Sequence, residues 1–283
     1  MGYNQNMGTL YLIATPIGNL EDISARALRL LHDVKLVAAE DTRLTRNLFH
    51  HFNIHTPLTS YFEHNKLAKL DSILAALEDG DVALVSDAGT PGLNDPGYEL
   101  VHAALEAGQR VSPVPGPASP IAALVASGLP TDSFLYLGYL PRKNSERKKF
   151  LERVADLPYT LLFLETPHRL LDSLEDLQAT LGDRLIAIAR ELTKLHEEIW
   201  RGMLSQARGH FKEPRGEFVL VVSGQPSDVN KEWSKEKLLA KIKKEIASGK
   251  SSRDISSELA EQSGWKKRDV YRLITNEDKE KIP

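Results

Sequence analysis

The residues best suited to chemistry in this 283-residue chain gather in four short segments, each at the end of an apolar run. Thr15-Pro16-Ile17-Gly18-Asn19-Leu20 follows TLYLIA, and Glu40-Asp41-Thr42-Arg43 closes VKLVAAE. SDAGTPGLNDPG, from Ser86 to Gly97, closes DVALVS, and PVPGPAS, from Pro113 to Ser119, closes RVSPV. Glycine and proline at this density restrict the backbone to a few shapes and let a ligand approach the main chain closely. One such loop is ordinary between a strand and a helix, but four on one sheet edge make a binding site. Asp41 and Arg43 set a carboxylate and a guanidinium two residues apart. They either act on a ligand at that edge or serve folding, with Asp41 capping the helix that follows. Neither GxGxxG nor GxxxxGK[ST] occurs, so the usual dinucleotide and triphosphate cradles are not supported. The absence of cysteine excludes disulfides, thiolate zinc sites and cysteine nucleophiles. The nine histidines show no metal-ligand spacing, so no metal is expected.

The elements that must carry these loops follow from the pattern between them. In the first half, short β-rich runs alternate with stretches such as DISARALRLLHD and KLAKLDSILAALEDG, whose apolar residues recur at three- and four-residue spacing. That is the signature of βαβ units around a parallel sheet. Five runs predict one α/β domain over 1–129. The runs SFLYLGYL, YTLLFLE, RLIAIAREL, EEIWRG and FVLVVSG follow with less helix between them, which predicts a second α/β domain with a mixed sheet over 130–224. A charged helix containing Arg142, Lys143, Arg147, Lys148 and Lys149 belongs to it. GQPSDVNKE reads as a linker, and three short helices complete the span 225–283. The last two outline a helix-turn-helix with Trp265, Lys266, Lys267 and Arg268 at the start of the second.

Net charge is −3, but it is unevenly spread. Lys231 to Pro283 holds 14 basic and 10 acidic residues, a balance of +4 that leaves −7 for the rest. An acidic body with a basic tail is compatible with phosphate binding through the tail. The start lacks the basic flank and apolar run of a signal peptide, and no apolar stretch approaches the roughly 18 residues of a membrane span. A soluble, cytoplasmic protein without membrane partners is therefore expected.

ATPIGNLEDIS, AAEDTR, ALVSDAGTPGLNDPG and VPGP, followed by FLETPHR, ARELTK and RGEFVLVV, resemble in this order the bacterial small-subunit ribosomal RNA 2′-O-methyltransferases of the tetrapyrrole-methylase superfamily. The resemblance covers roughly Thr9 to Gly224. It implies two α/β domains with S-adenosylmethionine held between them, a homodimer, and methylation of a cytidine ribose in 16S ribosomal RNA within the small subunit. It assigns donor contacts to Asp87, Ala88, Gly89 and Thr90, to Gly116, Pro117, Ala118 and Ser119, and to Pro16 in the first loop. From the second domain it adds Glu165 and Leu192. The first loop has one glycine where the superfamily is normally glycine-rich, a departure that matches the ribosomal RNA branch rather than the porphyrinoid branch.

A ribose 2′-hydroxyl is a poor nucleophile, so a base or a nearby cation should assist its deprotonation. Candidates are Glu40, Asp41 and Arg43, then Glu165, His168 and Arg169, then Arg190, Glu191 and Lys194. Of these, Asp41, Arg43 and Glu165 are taken as catalytic. His168, Arg169 and Lys194, with Lys266, Lys267 and Arg268 of the tail, are taken as RNA contacts. Glu165 stands just before Pro167 and also reads as a structural carboxylate. Two other functions fit less closely. A methylase of a tetrapyrrole or other small molecule has no evident use for the basic tail, and a ligand-sensing regulator does not need carboxylate-bearing loops.

Overall fold

The computed structural model describes residues 8–225, 233–248 and 250–279. The expected linker falls largely at 226–232, outside the described residues. Two compact units form. The first holds both sheets and runs to Ser223, apart from Asp156–Pro158, which belong with the second unit from Gly224 onward.

The first sheet comprises β1 (Thr9–Ile13), β2 (Leu36–Ala39), β3 (Leu58–Ser60), β4 (Val82–Val85) and β5 (Arg110–Val114). They are all parallel, in the order β3-β2-β4-β1-β5. All four residues of β4, Val-Ala-Leu-Val, are buried, as a central parallel strand covered on both faces requires. Helices α1 (Ala25–Asp33), α2 (Thr42–His51), α3 (Lys66–Asp79), α4 (Tyr98–Glu106) and α5 (Ser119–Ser127) connect and follow the strands. One face packs on Leu30, Leu31 and Phe49, the other on Ile73, Leu77 and Leu100. The crossovers bring the loops after β1, β2, β4 and β5 to one edge, where ligands of open α/β sheets bind.

The second sheet is mixed, as its pattern predicts, in the order β6-β7-β10-β8-β9. Its strands are β6 (Phe134–Tyr139), β7 (Thr160–Glu165), β8 (Leu185–Arg190), β9 (Glu198–Met203) and β10 (Phe218–Val222). Only β6 and β7 run parallel. Helix α7 (Leu170–Leu181) matches the sequence reading, α6 (Asn144–Glu152) starts later than expected because Lys143 is its N-cap and Arg142 stays in the preceding turn, and the short α8 (Leu204–His210) has no counterpart there. MLSQARGHF carries too few apolar residues to show a helical period.

Helix α5 joins the two sheets. Ala123 and Leu124 pack into a cluster with Leu162, Ala187, Ala189, Val219 and Val221 of the second sheet. Arg201 of β9 donates to the α5 carbonyls of Ala126 and Ser127, at the negative end of that helix. Helix α5 therefore ties the two sheets together.

The second unit contains α9 (Lys235–Ala247), α10 (Ser252–Ser263) and α11 (Lys267–Lys279) around Leu238, Ile242, Ile255, Leu259, Val270 and Ile274. Gly264 adopts a left-handed φ of 72° and turns α10 into the approach to α11. Lys266, Lys267 and Arg268 are exposed there.

Candidate active site

Hydrogen bonds between the loops stitch the sheet edge together. Thr15 and Gly89 form a two-way backbone bridge, and Thr15 Oγ1 donates to the carbonyl of Ser86 at 3.1 Å. Thr90 Oγ1 donates to the Pro117 carbonyl at 3.1 Å. The backbone N–H of Asp41 donates to Asp87 Oδ1 at 2.9 Å, and that of Asp87 faces Glu40 Oε2 at 3.4 Å. The loop after β4 is thus held by each of the other three. Gly116 is required by proximity, because a Cβ there would stand 2.9 Å from the Ala14 Cβ.

Beside this assembly lies a cleft of about 270 Å³ between the two sheets. Asp87, Ala88, Gly89, Thr90, Ala118 and Ser119 line it from the first sheet, and Glu165 and Leu192 from the second. Pro16 lines an adjoining depression with Asp87, while Gly116 and Pro117 support the wall from behind. Asn94 and Asp95, in the segment singled out after β4 but given no contact there, also line the cleft, as do Tyr136, Tyr139, Glu217 and Phe218, which the sequence reading missed. Tyr136 donates its hydroxyl to Asn94 Oδ1 at 2.6 Å, which links the two sheets across the cleft.

The cleft is acidic. Among the described residues, no lysine, arginine or histidine forms an ion pair with Glu40, Asp87 or Asp95. Burial, then the charges of Asp95 and Asp87, push the Glu40 carboxyl above its ordinary value. Burial also raises Asp95, despite a hydrogen bond from Ser86.

Asp41 differs from its neighbour. It is the N-cap of α2: Oδ1 accepts the Arg43 backbone N–H at 2.8 Å, and Oδ2 lies 2.7 Å from Arg43 Nη2. Those Arg43 contacts hold its carboxyl down at about 2. Asp41 and Arg43 occupy a shallow depression with Glu40, Ser60 and Phe62, and the Arg43 side chain is 84% exposed. Glu165 is buried, accepting from Ser173 Oγ at 2.5 Å and the Thr166 N–H at 2.8 Å. Arg169 approaches it at 3.4 Å and donates to the Leu140 and Pro141 carbonyls.

His168 is exposed before α7. Lys194 pairs with Glu191 at 3.0 Å and Glu217 at 2.9 Å, and its stem lies where a Gly18 Cβ would go. Glu191 and Thr193 take positive φ of 50° and 65°, so the turn after β8 is held in an uncommon shape beside the first loop.

Residues 9–208 match the family described as tetrapyrrole (corrin/porphyrin) methylases. A Synechocystis protein named ribosomal RNA small subunit methyltransferase I is 47% identical, covering 94% of this chain and 97% of its own. Proteins of the same name from Halalkalibacterium halodurans and Bacillus subtilis are 45% and 43% identical, the first covering 95% of this chain and 96% of its own, the second 96% of each. Among solved structures, the native form of uroporphyrin III C-methyl transferase from Thermus thermophilus is similar with a TM-score of 0.54 at 21% identity, over 76% of this chain and 97% of that one. That likeness concerns the fold alone.

Proposed function

Because the chain belongs to the tetrapyrrole (corrin/porphyrin) methylase family, and within it to the ribosomal RNA small subunit methyltransferase I group, we propose that it methylates the 2′-oxygen of a cytidine ribose in 16S ribosomal RNA, with S-adenosylmethionine as donor. The observation that carries this reading is the cleft itself, with loops tied together by hydrogen bonds and with Glu40, Asp87 and Asp95 in no ion pair among the described residues. Such a floor fits a donor that is positively charged at sulfur and at its amino group. When bound, the donor supplies an already activated methyl group, so positioning and exclusion of water do much of the work.

The chain's own residues take distinct roles in this reading. Asp87 and the backbone of Ala88, Gly89 and Thr90 hold the donor with Ala118, Ser119 and Leu192, while Pro16, Gly116 and Pro117 shape the loops behind them. Glu40 accepts the ribose proton, since a carboxyl of raised proton affinity is a better base than Asp41 held at about 2. Asp41 fixes Arg43, whose guanidinium faces the acceptor. Glu165 and Arg169 anchor the second wall of the cleft. His168, Lys194, Lys266, Lys267 and Arg268 remain proposed RNA contacts, Lys194 within its carboxylate cage.

Two copies of the chain are proposed to associate, which is supported by exposed apolar side chains such as Leu67, Tyr98 and Val125. No helix among the described residues is long and apolar enough to cross a membrane, and the substrate proposed here sets the cytoplasm as the site of action. Incubation with radiolabelled donor and isolated small subunits is the test. Label in 16S RNA at a ribose is the expected result, and label only in an added porphyrinoid overturns the reading.

A further inference from the structure

The stretch Arg142–Arg153 carries six basic and two acidic residues, an unusual density within an otherwise acidic body. Its first part is the turn that leaves β6. Tyr139, the last residue of β6, lines the cleft, so Arg142 follows within three residues of the cleft wall, about 10 Å of chain at most.

This turn is held from beneath by two arginines. Arg169 donates to the carbonyls of Leu140 and Pro141, and Arg147 Nη1 donates to those of Pro141 and Arg142, both at 3.3 Å. Arg147 is itself paired with Asp176, Nε to Oδ2 at 2.6 Å, with the two side chains only 5% and 4% exposed. Asn144 donates to the same carboxylate at 2.8 and 2.9 Å, and Lys148 pairs with it at 3.5 Å. An ion pair buried this deeply adds little net stability compared with apolar packing. What it does here is fix the Pro141 and Arg142 carbonyls, and with Arg169 on the Leu140 carbonyl the direction of the turn. Arg142 itself is exposed. Among the described residues Arg142, Lys149 and Arg153 pair with no acid, whereas Lys143 is matched to Glu146 at 3.1 Å.

We propose that the Leu140–Lys143 turn is a phosphate ledge, with Arg142 holding the RNA backbone next to the reacting ribose and Arg147 and Asp176 as its positioning residues. The inference rests on the RNA substrate proposed above and names where its backbone lies. A ribose in the cleft brings a phosphate on either side. The cleft floor, with Glu40, Asp87 and Asp95, repels phosphate, so the charge must be met at the rim. The turn after β6 supplies a cation there on a backbone held by Arg147 and Arg169, the arrangement a guanidinium needs for a directed contact. An acidic protein partner would need no such closeness to the cleft.

The experiment measures methylation of isolated small subunits by the full chain, with donor binding followed by calorimetry. Arg142→Glu should raise the KM for subunits about tenfold or more and flatten its dependence on salt by about one phosphate's worth, with donor affinity unchanged. Arg142→Lys should fall between the parent and Arg142→Glu. Asp176→Asn should also raise the subunit KM while sparing donor affinity, whatever it does to the melting temperature. Parental KM and salt slope in Arg142→Glu overturn the ledge while leaving the RNA reading intact. A lower melting temperature with parental KM in Asp176→Asn removes its positioning role. A parent chain that labels no RNA removes both readings.

Discussion

Thr15 and Gly89 exchange both of their backbone hydrogen bonds, at 2.9 and 3.0 Å, across 74 residues of sequence. The bridge makes the loops after β1 and β4 one piece, and Gly89 meets it with a φ of +84°. A Cβ on Gly89 would lie 3.3 Å from Ile17 Cγ2. Gly89→Val should therefore combine backbone strain of about 1–2 kcal/mol with a displaced cleft wall, and lower donor affinity about tenfold or more in a calorimetric titration. Gly108 is the control, because its φ is +73° but open space surrounds it, away from the cleft. Gly108→Ala should lower the melting temperature and leave donor affinity at the parental value. Equal donor affinity in parent and Gly89→Val would remove this loop from the donor site.

Glu40 and Asp41 are adjacent carboxylates with opposite surroundings, and substitution by the matching amide separates their roles. Asparagine caps helices as well as aspartate does, so Asp41→Asn should retain single-turnover methylation close to the parent's. Glu40→Gln should lower turnover about 100-fold while donor binding persists, the loss expected on removing a general base. The reverse ranking would return the base assignment to Asp41.

The same pair predicts opposite effects of pH on stability. Asp41 is depressed from an ordinary 3.8 to about 2, chiefly by the Arg43 side chain. Its contribution is therefore present above about pH 4 and lost as pH falls toward 2. Glu40 and Asp95 are raised, so their contribution is present at low pH and lost as pH rises through the raised values. In melting curves across that range, Asp41→Asn should lack part of the parent's acid limb. Glu40→Gln should melt above the parent at neutral pH, because the ionised carboxylate crowded by Asp95 and Asp87 is gone. A neutral-pH melting temperature below the parent's would mean that Glu40 is held by contacts stronger than that repulsion.

What could be read from the sequence and what could not divide along physical lines. The loops at the sheet edge were legible because glycine and proline are needed where chain segments approach closely, as Gly116 does against Ala14. The opposite wall was hidden because Tyr136, Tyr139 and Phe218 sit in apolar strand runs, where aromatic residues read as core. Asp95 lay inside a segment already singled out, but its burial depends on the crossover after β4 and not on local spacing. Asp41 illustrates the third case, since helix cap and base share one residue type at one position. Only the Arg43 contacts decide its protonation.

The helices from Trp233 onward enclose their own apolar cluster and present Lys266, Lys267 and Arg268 to solvent. A chain ending at Gln225 should bind the donor with parental affinity, bind small subunits more weakly, and show a flatter salt dependence, since fewer counterions are released. Filter binding across a salt series measures it. Parental affinity and slope would make those helices a packing module.

Gly138 lies opposite Asn94 where the β6–β7 register shifts between Tyr136 and Tyr139. Its φ is +64°, and a Cβ there would meet Asn94 Nδ2 at 2.5 Å and Oδ1 at 2.9 Å. Asn94 in turn accepts the Tyr136 hydroxyl, whose proton is secure because burial pushes the phenol up to about 12. Gly138→Ala should therefore act twice, by straining the backbone and by driving Asn94 off its partner. Tyr136→Phe acts once, removing a hydrogen bond worth about 1 kcal/mol. If the methyl group works through Asn94, the double variant should lose less stability than the two single losses added together, because the bond can be broken only once. Both variants should also weaken donor binding, as Tyr136 and Asn94 both line the cleft. Strict additivity in the melting series would place the need for glycine in its backbone angle alone, with the Tyr136–Asn94 link independent of it.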